Sequence, residues 1–181
     1  LREQDEQYVW NLIPGPYQGT TELHDLMLDL GDFQPNDRVQ LFLYGWIFPT
    51  DASINVALSQ SDQYKPVPPT VAVPDGRGGW KDIAVSMGFP MGKNKTVVLD
   101  LTGHVSASDP RVRIRTNTMI YWDQAFVVIN PPNVEERRTE LAPTRADLRY
   151  RGFSRLYRTS RYSPHLFDYD DVSTAPKWRD L

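Results

Sequence analysis

The stretch "DRVQLFLYGWIF", residues 37 to 48, decides the fold class. Val39, Leu41 and Leu43 alternate with Gln40, Phe42 and Tyr44, which is the two-residue period of a β-strand. Apolar side chains occur on both faces, so the stretch predicts an interior strand covered on both sides. It follows "LMLDLGDF" across "QPND", residues 34 to 37, a turn made of residues that fix or cap a reversing backbone.

Downstream the same texture continues. In "ASINVALSQ", residues 52 to 60, Ile54, Val56 and Leu58 alternate against Ser53, Asn55 and Ala57, which predicts a strand with one wet face. Pro66, Pro68 and Pro69 make a stiff connection into "TVAVPDGRGGWKDIAV". There Pro74 and Gly76 supply the φ values of a turn, so "VAV" and "WKDIAV" are expected to pair as a hairpin. "KTVVLDLTG" and "RVRIRTNTMIYWDQAFVVI" read as further strands. In the second, Val112, Ile114 and Thr116 oppose Arg111, Arg113 and Arg115, the mark of a solvated or edge face. Seven to eight short strands with hairpin turns predict an all-β fold, an antiparallel β-sandwich or jelly roll over residues 1–130, with an eight-stranded barrel as the alternative.

Beyond Ile129 the sequence becomes polar, proline-punctuated and aromatic. Residues 131–181 are expected to form an irregular carboxy-terminal extension that packs on the sandwich or on a neighbouring domain. Within it, Val134 to Leu141 hints at a short helix, and the chain from about residue 160 reads as an extended arm. Eight arginines and no lysine lie between Arg137 and Arg161, interleaved with Tyr150, Phe153 and Tyr157. The interaction residues singled out here are Arg149, Arg151, Phe153, Arg155, Tyr157, Phe167, Tyr169 and Trp178. Their aromatics are too many for a free tail, while the segment has too few aliphatics to build its own core. Arginines paired with carboxylates or stacked on rings are the ordinary reading, and a groove for an anionic ligand is the sharper one.

Composition narrows the classes. The 181 residues are 40% hydrophobic and 12% aromatic, enough for a core without metal or disulfides. A formal net charge of −3 argues against nucleic acid as partner. The absence of cysteine removes disulfides, thiolate metal sites and a thiol nucleophile. No apolar run approaches the ~20 residues of a membrane helix, and "LREQDEQYVW" has no signal-peptide character. The chain opens at Leu1 rather than at a methionine, which suggests an excerpt of something longer.

Candidate chemistry is sparse. His24, His104 and His165 have no metal-ligand spacing, and there is no Gly-x-Ser-x-Gly elbow. An oxygen-only calcium site could draw on Asp29, Asp32 and Asp37, or on Asp168, Asp170 and Asp171, although turn carboxylates capping backbone N–H groups account for both sets. No cofactor is otherwise called for. Trp80, with Tyr64 or Tyr121, could stack on sugar rings, whereas Trp46 and Trp122 read as packing residues. "MGFPMGKNKTVVLDLTG", residues 87 to 103, lacks the phosphate-loop spacing and runs into a strand rather than a helix. Its Asn94-Lys95-Thr96 is formally an N-glycosylation acceptor.

Taken together, "HDLMLDLG", "LFLYGWIFPTDASINVALSQ", "VPDGRGGWKDIAVSMGFPMGKNKTVVLDLTG", "RVRIRTNTMIYWDQAFV", "ADLRYRGFSR" and "PHLFDYDD" resemble a known family. It is the conserved carboxy-terminal region of large bacterial proteins with FG-GAP propeller repeats and an ASPIC/UnbV domain, some of which also carry tetratricopeptide repeats. The resemblance spans about His24 to Asp171. It implies an extracytoplasmic, non-catalytic, β-rich module that contacts neighbouring domains or other protein subunits. It offers no catalytic residue to carry over, and the propeller's calcium loops lie outside this chain. Family members continue past a tryptophan like Trp178, which again implies a fragment.

Overall fold

The computed structural model describes residues 1–83, 87–135, 137–161, 163 and 165–175. The described residues form nine strands and one helix, and the chain divides into two compact units, Leu1–Pro131 and Pro132–Leu181.

The first unit is an antiparallel β-sandwich. Its seven strands are β1 (Thr20–Asp29), β2 (Val39–Ile47), β3 (Thr70–Pro74), β4 (Trp80–Ile83), β5 (Lys95–Asp100), β6 (Arg111–Thr118) and β7 (Ile120–Ile129). One sheet runs β1-β6-β3-β4 and the other β5-β2-β7. The strand that opened the sequence reading is β2. It lies between β5 and β7, with Val39, Leu41 and Leu43 almost wholly buried and Gln40, Phe42 and Tyr44 partly covered on the outer face. Leu99 and Leu101 beside it, and Val71, Val112 and Ile114 from the other sheet, complete one core cluster. Trp46 and Trp122 are buried. Gly45 of β2 is there for space, because a Cβ would sit 2.5 Å from the Tyr121 carbonyl oxygen and 2.7 Å from the Trp122 ring.

Local chemistry explains the turns. "QPND" closes through Asp37 N–H to Gln34 O at 3.0 Å, and the Asp37 carboxylate accepts the Gln34 N–H at 2.7 Å. The β3–β4 hairpin forms as expected, with Pro74 opposite Trp80; Asp75 Oδ1 accepts the N–H groups of Arg77 and Gly79, and Gly76 takes a left-handed φ of 73°.

Four expectations need correction. "ASINVALSQ" is not a strand but helix α1 (Ala52–Gln60). Asp51 caps it by accepting the Ile54 N–H at 2.9 Å, and Ile54, Ala57 and Leu58 face inward at i, i+3 and i+4 while Val56 is exposed. The run from Arg111 to Ile129 is two strands, not one: the chain passes from one sheet to the other at Met119, whose amide bonds the Gly19 carbonyl. The arginine-bearing strand β6 is interior rather than an edge, because β1 and β3 flank it. The two sheets are open and separate, which excludes the barrel alternative.

The second unit is not wholly irregular. Among its described residues, 132–152 carry no helix or strand, so the short helix hinted at from Val134 does not form. After them β8 (Phe153–Tyr157) and β9 (Leu166–Ser173) pair as an antiparallel hairpin, where the sequence suggested an extended arm.

Candidate interaction surface

The three aromatics proposed as a sugar platform do not converge. Trp80 stands on edge strand β4, half-buried, with the guanidiniums of Arg113 and Arg111 at 5.0 and 5.8 Å from its ring centroid. Tyr64 lies toward the other end of that sheet, its hydroxyl donating to the carbonyls of Thr21 at 2.6 Å and Asn117 at 3.3 Å. Arg113 and Asn117 are four residues apart on β6, about 13 Å at strand rise. Tyr121 belongs to the second sheet, tilted against Trp46 at 6.0 Å. Each ring therefore has a packing or hydrogen-bonding task of its own.

Around Trp80 the outer face of the four-stranded sheet is a compensated charge lattice. Asp25 accepts two hydrogen bonds from Arg115, at 2.7 and 2.8 Å, which hold its carboxyl below the usual range. Asp109 grips Arg111 in the same bidentate way, at 2.6 and 2.7 Å. Arg113 reaches Asp82 only at 3.9 Å, and its Nε is buried without a partner.

The calcium candidates serve the backbone. Asp29 Oδ1 accepts the Gly31 N–H at 2.9 Å, and Asp37 Oδ1 accepts a hydrogen bond from Asn130 Nδ2 at 2.7 Å in addition to its turn bond. Those two bonds, the backbone one first, lower the Asp37 carboxyl. Asp32 is exposed. Among the described residues no three His, Asp or Glu side chains gather around a common point. Asn94 of the acceptor triplet donates from Nδ2 to the Tyr8 hydroxyl at 2.8 Å, so the atom a glycan would use is already engaged.

The aromatic and arginine residues of the second unit do come together, on the hairpin. Gly152 precedes β8 with φ 105°, and a Cβ there would meet the Ser173 carbonyl oxygen at 2.6 Å, so glycine is required for the two strands to close. Ser154 pairs with Val172, but the next pair is Arg155 with Asp168, leaving residues 169–171 as a bulge. "DYDD" builds that bulge: Asp168 Oδ1 accepts the N–H groups of Asp170 at 3.1 Å and Asp171 at 3.2 Å. Arg155 clamps it from β8, 3.2 Å from Asp168 and 2.9 Å from Asp171. The Asp170 backbone bond first, then Arg155, lower the Asp168 carboxyl.

The aromatic side chains on and beside the hairpin are exposed. Phe153 is 54% exposed and Tyr169 55%, with Tyr157, Phe167 and Tyr150 also exposed. They meet in pairs: Tyr150 against Phe153 edge-on, Phe167 against Tyr169 stacked, and Arg151 over the Tyr169 ring at 5.8 Å. Phe153, Leu156, Phe167, Arg155 and Asp171 line a cleft of about 510 Å³ beside the hairpin. Arg149 is exposed in the preceding stretch, 3.6 Å from Asp147. Trp178 lies outside the described residues.

Two features had no place in the sequence reading. The hairpin itself is one. The other is Asp123, a charged residue at 1% exposure within β7. The available signal was its isolation, as the one ionisable acid or base in the otherwise apolar "IYWDQAFVVI" besides Tyr121.

Compared with known proteins, the chain matches no family model, and neither curated proteins nor solved structures provide a significant match. Among the described residues no helix is long and apolar enough to cross a membrane.

Proposed function

We propose that this chain is a non-catalytic interaction module, and that the β8–β9 hairpin is the face through which it contacts another protein domain or subunit. The observation that carries the reading is the exposure of Phe153, Tyr157, Phe167 and Tyr169 on one two-stranded element, with Arg149, Arg151 and Arg155 among them. Aromatics and arginine are the residues enriched at protein interfaces and at their energetic centres. Protein fits better than nucleic acid, because Asp147, Asp168, Asp170 and Asp171 lie among the arginines and would repel phosphates. The resemblance to the carboxy-terminal region of FG-GAP and ASPIC/UnbV proteins supports placing the module in a larger extracytoplasmic protein. A sugar-stacking role draws no support from Trp80, Tyr64 and Tyr121, which lie apart. Hydroxyl-radical footprinting checks the proposal: Phe153, Tyr157, Phe167 and Tyr169 should be oxidised readily in the isolated chain and shielded in the native protein from its source. Equal oxidation in both would overturn it.

A further inference from the structure

Asp123 sits where β7 carries an extra residue. Tyr44 pairs with Gln124 and Gly45 with Trp122, so Asp123 is the unpaired residue of a bulge. Its side chain is buried, and neither carboxylate oxygen has a hydrogen-bond partner. A buried polar group left in that state is rare and calls for a reason.

The cover is the amino-terminal segment. It runs antiparallel along the edge of β7 not occupied by β2, held where Ala125 N–H bonds the Leu1 carbonyl at 2.8 Å and where Val9 N–H bonds the Trp122 carbonyl at 2.8 Å. Gln124 Nε2 adds a bond to the Arg2 carbonyl at 3.3 Å. Eight steps of the segment span only three of β7, so the residues between arch over the bulge. The arch includes Glu6 with a left-handed φ of 61°, a conformation a glutamate adopts only under constraint. One end of the arch is fixed: Tyr8 is buried in the sandwich with its hydroxyl accepting from Asn94, and burial pushes that phenol up to about 12. Its other side is held through the Leu1 and Arg2 carbonyls.

We propose that residues 1–7 are a pH-sensitive strap, closed over the β7 edge while the Asp123 carboxyl is neutral and released as it ionises. The charges that act on Asp123 are Asp5 and Glu6 of the strap itself, both negative, and the neutral Tyr8 lies close by. Burial, the largest influence, raises the carboxyl above its ordinary value; the backbone amides of Asp5 and Glu6 pull the other way without reaching hydrogen-bond geometry, and their side-chain charges raise it further. The closed form therefore holds the proton more tightly than the open form. Its stability is full below the ordinary carboxylate range and is lost as pH rises through the raised value. What opening exposes is the row of backbone donors and acceptors on the β7 edge.

Amide hydrogen exchange reads this residue by residue. Between pH 4 and pH 7, after correction for intrinsic rates, the Ala125 amide should lose protection, while the Val9 amide, beyond the Tyr8 anchor, keeps it. In D123N the Ala125 amide should stay protected across the range. Ala125 protection that does not change with pH, or a pH response that survives in D123N, would overturn the proposal. Should D123N fail to fold, the exposed pair D5N/E6Q serves instead: it should shrink the loss at Ala125, and an undiminished loss would count against the strap.

Discussion

The two units of this chain handle aromatic and aliphatic side chains in opposite ways. In Leu1–Pro131 the apolar residues of both sheets point at each other, and every buried hydrophobic residue among those described lies between Tyr8 and Trp122. In Pro132–Leu181 the described residue that is buried is Ser163, whose hydroxyl accepts the Thr159 N–H at 3.0 Å, while the large rings remain exposed. A lone two-stranded hairpin is marginal in water because it has no second layer to bury its face against. The sandwich is thus a self-sufficient fold, and the hairpin is a surface held in shape by a bulge, a glycine and an arginine clamp.

That contrast can be broken by substitution. Leu43 is fully buried between the sheets, so Leu43→Ala should lower the unfolding free energy of the sandwich by about 2–5 kcal/mol, read by urea denaturation. The double change Phe153→Ser and Phe167→Ser removes more apolar surface, yet should move the same transition by less than about 0.5 kcal/mol, because those rings are already about half exposed and lie outside the sandwich core. A large loss from the hairpin pair would mean that its rings help hold the sandwich together.

Much of the sandwich was legible in the sequence. The alternation of Val39, Leu41 and Leu43 identified β2, and Pro74 with Gly76 identified the β3–β4 turn. The failures have physical causes. Over nine residues, Ile54, Val56 and Leu58 satisfy a two-residue period, while Ile54, Ala57 and Leu58 satisfy a helical one; the Asp51 cap and the inward stripe decide between them only once the chain is packed. The crossing between sheets at Met119 leaves no local trace, since both flanking runs are strand formers and the corner is marked by long-range bonds, Met119 N–H to the Gly19 carbonyl and Phe48 N–H to the Met119 carbonyl. The strands β8 and β9 were hidden by pattern: "FSRLY" and "LFDYDDVS" are short, mix apolar with charged residues without a sustained two-residue alternation, and the second is interrupted by a bulge. That Trp80, Tyr64 and Tyr121 lie apart was not legible, because exposure and convergence are properties of the fold, not of the residue types. The aromatic excess of the carboxy-terminal segment was legible, and its arrangement on one hairpin was not.

If the hairpin is a presented surface rather than a fold in its own right, amide hydrogen exchange on the isolated chain will separate it from the sandwich. The amides of the interior strand Val39–Ile47 should exchange only through global unfolding of the sandwich, and those of Phe153–Tyr157 and Leu166–Ser173 through local opening at close to unprotected rates. Hairpin amides as slow as those of the sandwich would contradict the account.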